Sequence, residues 1–195
     1  VDGFKVYNGR GSNGAGFYCN SYSSPAIVNN NITGNSTTGS GGGIYCYYSS
    51  PSIVNNKISG NSANSGGGVY CLKGSPVIKN NTLDNNTVTS DVGGIYCEGR
   101  AVLISKNVIK NHQYSGEYNA QGGGVFCNAV RSATITANRF DNNTGWYSGG
   151  AIYLMSSPKA SVVNNLFVSC FAKNGGGGAI KSYQSYPRII NNTFA

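Results

Sequence analysis

The strongest constraint on the fold of this chain is a unit of about 27 residues that repeats from one end to the other. Successive units begin 27, 25, 26, 30, 27 and 28 residues apart when they are aligned on one column. Repeats of this length stack on one another, because a single unit cannot bury its own apolar face. The clearest unit spans 41–61 and reads GGGIYCYYSSPSIVNNKISGN.

Each unit contributes three apolar columns, which predict three short strands. The first column is Cys19, Cys46, Cys71, Cys97 and Cys127, followed by Leu154 and Ser182. The second is Ile27, Ile53, Ile78, Ile104, Ile135, Val162 and Ile189, and the third is Ile32, Ile58, Leu83, Ile109, Phe140, Phe167 and Phe194. An apolar residue two places before the first column shares its face of the strand and points inward with it. The pattern predicts an all-β parallel β-helix, or β-solenoid, of about seven coils.

Asparagine recurs two residues before the third apolar column in every unit. These residues are Asn30, Asn56, Asn81, Asn107, Asn138, Asn165 and Asn192. A repeated Asn at a bend tolerates left-handed dihedrals, and stacked amides can bond from coil to coil, so we interpret the set as an asparagine ladder. A second column reads Asn35, Asn61, Asn86, His112, Asn143 and Cys170. The single histidine therefore falls at a structural position.

Aromatic residues occupy the outward position of the first strand. This aromatic strip consists of Tyr18, Tyr45, Tyr70, Tyr96, Phe126 and Tyr153. Contiguous exposed aromatic surface marks an interaction site, and sugar rings, another subunit or the chain's own loops could cover it. Four further aromatics on neighbouring loops form a second candidate surface, the loop platform: Tyr114, Tyr118, Trp146 and Tyr147.

The sequence offers little for catalysis or metal binding. It has six acidic residues, and the column Asp84, Lys110, Asp141 is interpreted as a surface charge ladder in which one lysine neutralises two aspartates. The cysteines form no CxxC pair and offer no tetrahedral cage. Buried free thiols and vertical disulfides such as Cys46–Cys71 both remain open. We therefore predict no catalytic, cofactor-binding or metal-binding residue, no cofactor, and no enzymatic activity.

Charge gives a weak indication of a partner. The chain carries 14 basic and 6 acidic residues, a formal net charge of +8, which suits a polyanion. The basic residues are scattered singly without a basic run, so we predict no nucleic-acid partner. No apolar run approaches the ~20 residues of a membrane span, and none is predicted.

Several short motifs resemble a known family. GGAI at 149–152 and 177–180, and FDNN at 140–143, resemble the GGA[ILV] and FxxN repeats of polymorphic outer-membrane and autotransporter passenger proteins. More broadly the chain is similar to right-handed parallel β-helix repeat proteins of the pectate-lyase-like superfamily. The resemblance implies right-handed coiling and an extracellular or cell-surface location. It leaves function open, because the superfamily includes lyases, hydrolases, adhesins and structural proteins.

These observations predict one β-helix domain over 1–195, without capping elements at its ends. Phe4 is expected in the third apolar column, the column in which Phe194 ends the chain. We expect a non-enzymatic extracellular structural protein: an adhesin segment continuing in a longer chain, or a subunit that self-associates head to tail into a filament. The alternative is a carbohydrate-binding or polysaccharide-degrading module that takes a glycan. Ice binding is less favoured, because no sheet face repeats threonine.

Overall fold

The chain winds into a parallel β-solenoid in a computed structural model that describes residues 1–114 and 121–195. Each coil contributes one strand to each of three long parallel sheets, and neighbouring strands in a sheet come from successive coils. The described residues contain strands, turns and bends and no helix. The predicted all-β solenoid of about seven coils is therefore confirmed. The described residues include no helix long and apolar enough to span a membrane.

Sheet 1 carries the cysteine column and the aromatic strip. Its strands are Phe17–Cys19, Ile44–Tyr47, Val69–Gly74, Ile95–Gly99, Val125–Asn128, Ile152–Met155 and Ile180–Tyr183. Sheet 2 follows the first turn of each coil. Its strands are Ala26–Val28, Ser52–Val54, Val77–Lys79, Ala101–Ser105, Ser132–Thr136, Lys159–Val163 and Arg188–Ile190.

Sheet 3 follows the second turn and has eight strands. They are Lys5–Tyr7, Asn31–Thr33, Lys57–Ser59, Thr82–Asp84, Val108–Lys110, Arg139–Asp141, Leu166–Val168 and Thr193–Phe194. Its first pairing sets Val6 opposite Ile32, so Val6 occupies the third apolar column. The expectation that Phe4 fills this column is wrong. The Phe4 N–H instead donates to Asn30 Oδ1 at 3.0 Å, which places Phe4 beside the asparagine ladder.

A fourth strand of two residues, absent from the three-column prediction, follows sheet 3 in most coils. Five of these strands form one ladder: Arg10–Gly11, Ser36–Thr37, Ser62–Ala63, Thr87–Val88 and Gln113–Tyr114. Two more, Thr144–Gly145 and Phe171–Ala172, form a separate pair. Sheet 4 is therefore interrupted after Gln113–Tyr114.

The interior is filled by the predicted columns stacked in register. Ile53, Ile78 and Ile104 pair with one another across sheet 2 and are fully buried. Cys46 and Cys97 both pair with Cys71 in sheet 1, and all six cysteines are free thiols. Each buried aliphatic side chain contributes about 1.5–3 kcal/mol to folding, so the stacked columns supply the main apolar driving force.

The asparagine ladder is a continuous chain of hydrogen bonds from Asn30 to Asn192. Along it each Nδ2 donates to the Oδ1 of the next coil at 3.0–3.1 Å. The same Oδ1 accepts the backbone N–H of the lower asparagine, as Asn81 Oδ1 does from Asn56 at 2.8 Å. Buried polar groups at the second turn are thus paired along the axis.

Candidate functional site

The aromatic strip stacks as expected, but only its beginning faces solvent. Tyr18 and Tyr45 rings lie 5.2 Å apart and stacked, and Tyr18 is 54% exposed. Tyr96, Phe126 and Tyr153 are buried in a cluster with Val92. Burial raises the pKa of Tyr70 to about 12. Of the alternatives for covering the strip, coverage by the chain itself therefore applies to its last three rings.

The loop platform is partly assembled. The ring centroids of Tyr114 and Trp146 lie 6.2 Å apart, and those of Trp146 and Tyr147 lie 6.4 Å apart. Lys173 Nζ lies 5.2 Å from the centre of the Trp146 ring. Tyr118 lies outside the described residues. Three of the four predicted aromatics therefore gather near the interruption of sheet 4.

The predicted charge ladder is rearranged. Lys110 lies between Asp84 and Asp141 in sheet 3, as its spacing requires. Its Nζ lies 3.4 Å from Asp84, whereas Asp141 is 2.6 Å from Arg139 on its own strand. The prediction that one lysine neutralises both aspartates is corrected, because Arg139 provides a closer cation for Asp141.

The first turn, between sheets 1 and 2, differs from the other turns in its choice of residues. Every coil places a residue with positive φ at its turns, and Asn or Gly adopt that conformation at least cost. The second and third turns mostly use them: Asn29, Asn55, Asn80, Asn164 and Asn191 at one, and Asn8, Gly34, Gly60, Asn85, Asn111 and Asn142 at the other. At the first turn the first three coils use Tyr22, Tyr48 and Lys73 at φ 64°, 48° and 60°, and later coils use Ala129, Ser156 and Gln184. A bulky residue kept in a strained conformation points to a role for its side chain.

The side chains of Tyr22, Tyr48 and Lys73 stack along the axis. The rings of Tyr22 and Tyr48 lie 5.7 Å apart, and Lys73 Nζ lies 5.0 Å from the Tyr48 ring centre and donates to Tyr48 Oη at 3.3 Å. They line one side of a groove of about 540 Å³ that also includes Arg100. Tyr22 is 80% exposed, so this surface is open to a ligand.

Serine hydroxyls form the floor of the same groove. Ser24 Oγ accepts the N–H of Ser50 at 3.1 Å, and Ser50 Oγ accepts the N–H of Ser75 at 3.0 Å. Each hydroxyl oxygen is fixed by the coil above, so the groove presents hydroxyl groups at the rung spacing of ~4.8 Å.

Basic residues continue this edge through four successive coils. Lys73, Arg100, Arg131 and Lys159 are all exposed at or beside the first turn. Backbone contacts place these residues on adjacent coils. The Arg131 N–H donates to Gly99 O, next to Arg100. Ser132, next to Arg131, pairs with Lys159. Both ion pairs among the described residues lie in sheet 3, and neither uses these four cations. We call Tyr22, Tyr48, Lys73, Arg100, Arg131 and Lys159 the first-turn edge.

The sequence pattern did not reveal this edge. The four cations stand two, three, four and five residues after the first apolar column, at Cys71, Cys97, Cys127 and Leu154. Because the offset grows by one in each coil, a search for fixed columns finds only scattered single charges. The first turn accommodates the added residues, so all four cations lie at or beside it.

The groups that the first-turn edge presents determine which ligands it can bind. It offers rings, fixed hydroxyl oxygens and, on four successive coils, exposed cations that form no ion pair with a described residue, which suits an extended anionic ligand. Glu98, at the end of its sheet 1 strand, accepts from Tyr96 Oη at 3.2 Å. No cluster of three or more metal-ligating side chains occurs within 1–114 and 121–195.

Comparison with known proteins agrees with this architecture. A family model described as a right-handed beta helix region matches residues 2–123. No curated protein and no solved structure gave a match.

Proposed function

We propose that this chain, which belongs to the right-handed β-helix family, is an extracellular adhesin-type segment that binds an acidic polysaccharide along its first-turn edge without cleaving it. The observation that carries the proposal is the set of exposed cations at the first turn of four successive coils, Lys73, Arg100, Arg131 and Lys159, none of which is ion-paired to a described residue. A polymer with one anionic group per sugar ring presents its charges in a comparable repeating line.

The rings and hydroxyls favour a polysaccharide over other polyanions. Tyr22 and Tyr48 offer faces for the C–H side of a sugar ring, and the serine column offers hydroxyl groups beside them. The sheet 3 carboxylates Asp84 and Asp141 lie away from this edge and are ion-paired. Glycoside hydrolysis ordinarily needs two carboxyl groups flanking one bond, so the edge fits binding better than cleavage.

Binding measurements on charge-matched variants test the proposal. Lys73→Met with Arg100→Met should weaken binding of polygalacturonate or heparin about tenfold, because two exposed ionic contacts of ~0.5–1 kcal/mol each are lost. Lys57→Met with Lys106→Met removes the same charge from exposed positions elsewhere and should leave the affinity nearly unchanged. Isothermal titration calorimetry gives the affinities.

Three outcomes would contradict the proposal. Equal weakening by both pairs would indicate a diffuse charge effect. Binding of neutral dextran, or of duplex DNA as strongly as the acidic polysaccharide, would contradict the assigned ligand class. New reducing ends or unsaturated products would contradict binding without cleavage.

The aromatic part of the edge has its own comparison. Tyr22→Asn should weaken polysaccharide binding but raise the free energy of unfolding by about 0.5–1 kcal/mol, because Asn tolerates the left-handed conformation better. Ala137→Asn relieves the same conformation at the second turn and should stabilise the protein without changing binding. Loss of stability in Tyr22→Asn with unchanged binding would assign Tyr22 a packing role.

A second candidate, axial self-association, is favoured by the last rung. Ile189 and Phe194 are 47% and 58% exposed, whereas Val162 and Phe167 in the preceding coil are buried. Exposed core residues and an unpaired strand edge favour pairing with a further coil. A further coil, supplied by a second copy or by the continuation of a longer chain, would bury them and extend the scaffold.

A further inference from the structure

A pocket lies beside the interruption of sheet 4, where the Thr144 N–H still donates to His112 O at 3.1 Å. Gln113–Tyr114 ends the five-stranded ladder, and Thr144–Gly145 begins the separate pair. A cavity of about 270 Å³ lies here, lined by Gln113, Tyr114, Thr144, Gly145, Trp146 and Lys173. Along each coil, sheets 2 and 3 lie between the first-turn edge and this cavity, so the two surfaces are on different sides of the solenoid.

The volume of the pocket limits the size of its ligand. At ~30 Å³ per water molecule, it holds about nine waters. It falls just below the ~300 Å³ at which pockets for drug-sized ligands begin. A single ring with its substituents fits within this volume.

The lining combines three kinds of contact. Trp146 is partly exposed, and its Nε1–H donates at 2.9 Å to the Asn174 side-chain oxygen in the amide orientation that satisfies both groups. This bond fixes the indole, whose face is an apolar surface for a ring. Gln113 and Thr144 provide polar groups at the rim, and Lys173 provides a cation whose Nζ lies 5.2 Å from the ring centre.

We propose that this pocket binds one sugar ring that carries a carboxylate. The ring's C–H face packs on Trp146, its hydroxyls bond to Gln113 and Thr144, and its carboxylate pairs with Lys173. A neutral sugar would keep the stacking contact and lose the ion pair. This site is separate from the first-turn edge, and the proposal for it does not depend on whether that edge binds a polysaccharide.

The chain offers a direct reporter, because Trp146 is its single tryptophan. Titration with glucuronate should change tryptophan fluorescence in a saturable way, with an affinity at least tenfold higher than that for glucose. Lys173→Met should reduce the two sugars to equal, weak affinity. Lys57→Met, at an exposed position in sheet 3, serves as the control and should retain the preference.

Each other outcome overturns the proposal. No saturable change with either sugar would show that the pocket does not bind a sugar ring. Equal affinities for glucuronate and glucose in the unchanged protein would show that the pocket does not recognise the carboxylate. A preference for glucuronate that persists in Lys173→Met would show that Lys173 does not bind it. The edge variant Lys73→Met with Arg100→Met should leave this titration unchanged, which separates failure here from failure of the proposed function.

Discussion

At the scale of single residues, His112 is the least well satisfied member of the second polar column. Its Nδ1 lies 3.1 Å from the backbone nitrogen and 3.3 Å from the backbone oxygen of Asn86. Nε2 is buried and has no partner among the described residues. Burial lowers the pKa of His112 to about 4. The imidazole is therefore held neutral, and its Nε2 makes no hydrogen bond to a described residue.

This burial makes stability depend on pH. In the unfolded chain the histidine has a pKa of about 6.5. Below that pH the unfolded chain binds a proton that the folded protein does not bind until about pH 4. Stability therefore falls as the pH drops from about 6.5 towards 4. Between pH 7 and pH 5 the loss should be about 2 kcal/mol, measured by urea unfolding.

His112→Asn provides the control for that measurement. The chain has no other histidine, so the variant should lose this part of the pH dependence and keep the part that comes from carboxyl groups. Asparagine would also restore the amide oxygen that Asn86 Nδ2 lacks, since Asn61 Nδ2 donates to such an oxygen at 3.0 Å. An undiminished loss of stability between pH 7 and pH 5 in His112→Asn would contradict the assignment.

At the scale of elements, the asparagine ladder is expected to stabilise the second turn more than any one apolar contact. Asn81→Ala removes the oxygen that accepts from both the N–H and the Nδ2 of Asn56. Two buried donors then lose their partner at about 1–3 kcal/mol each, so we expect a loss of about 3–5 kcal/mol in the free energy of unfolding.

The end of the same ladder gives a matched comparison. Asn192 makes equivalent bonds but is only partly buried, so water can replace its amide in Asn192→Ala. Urea unfolding should show a loss less than half of that for Asn81→Ala. Equal losses would show that the ladder acts through local turn conformation and not through buried hydrogen bonds.

The sequence predicted the sheets well because their side chains obey strict spacing. The columns of Ile53 and Asn81 recur in every coil, and each inward position must be apolar or paired. Sheet 4 was missed because two-residue strands such as Ser62–Ala63 carry no periodic signal. The burial of Tyr96 and the gathering of Arg100 with Arg131 depend on segments of variable length, whose path a repeat pattern does not specify.

At the scale of the whole molecule, charge and strand count are distributed unevenly. The paired carboxylates Asp84 and Asp141 lie in sheet 3, whereas the cations of the first-turn edge form no ion pair with a described residue. Sheet 3 has eight strands, and sheets 1 and 2 have seven each. The first difference gives the solenoid a basic edge, and the second determines how copies can stack.

Stacking in which Lys5–Tyr7 of one copy follows Thr193–Phe194 of another would continue sheet 3 but leave sheets 1 and 2 one strand short at each junction. We therefore expect weak rods with an axial repeat of eight rungs, ~38 Å at ~4.8 Å per rung, in electron micrographs of concentrated protein. Phe194→Lys lies in the sheet that continues across the junction, so it would bury charge there and should abolish the rods. Tyr186→Lys, at an exposed turn position, should not. Monomers alone, or a seven-rung repeat of ~34 Å, would contradict this arrangement, since seven rungs leave no place in sheet 3 for the eighth strand.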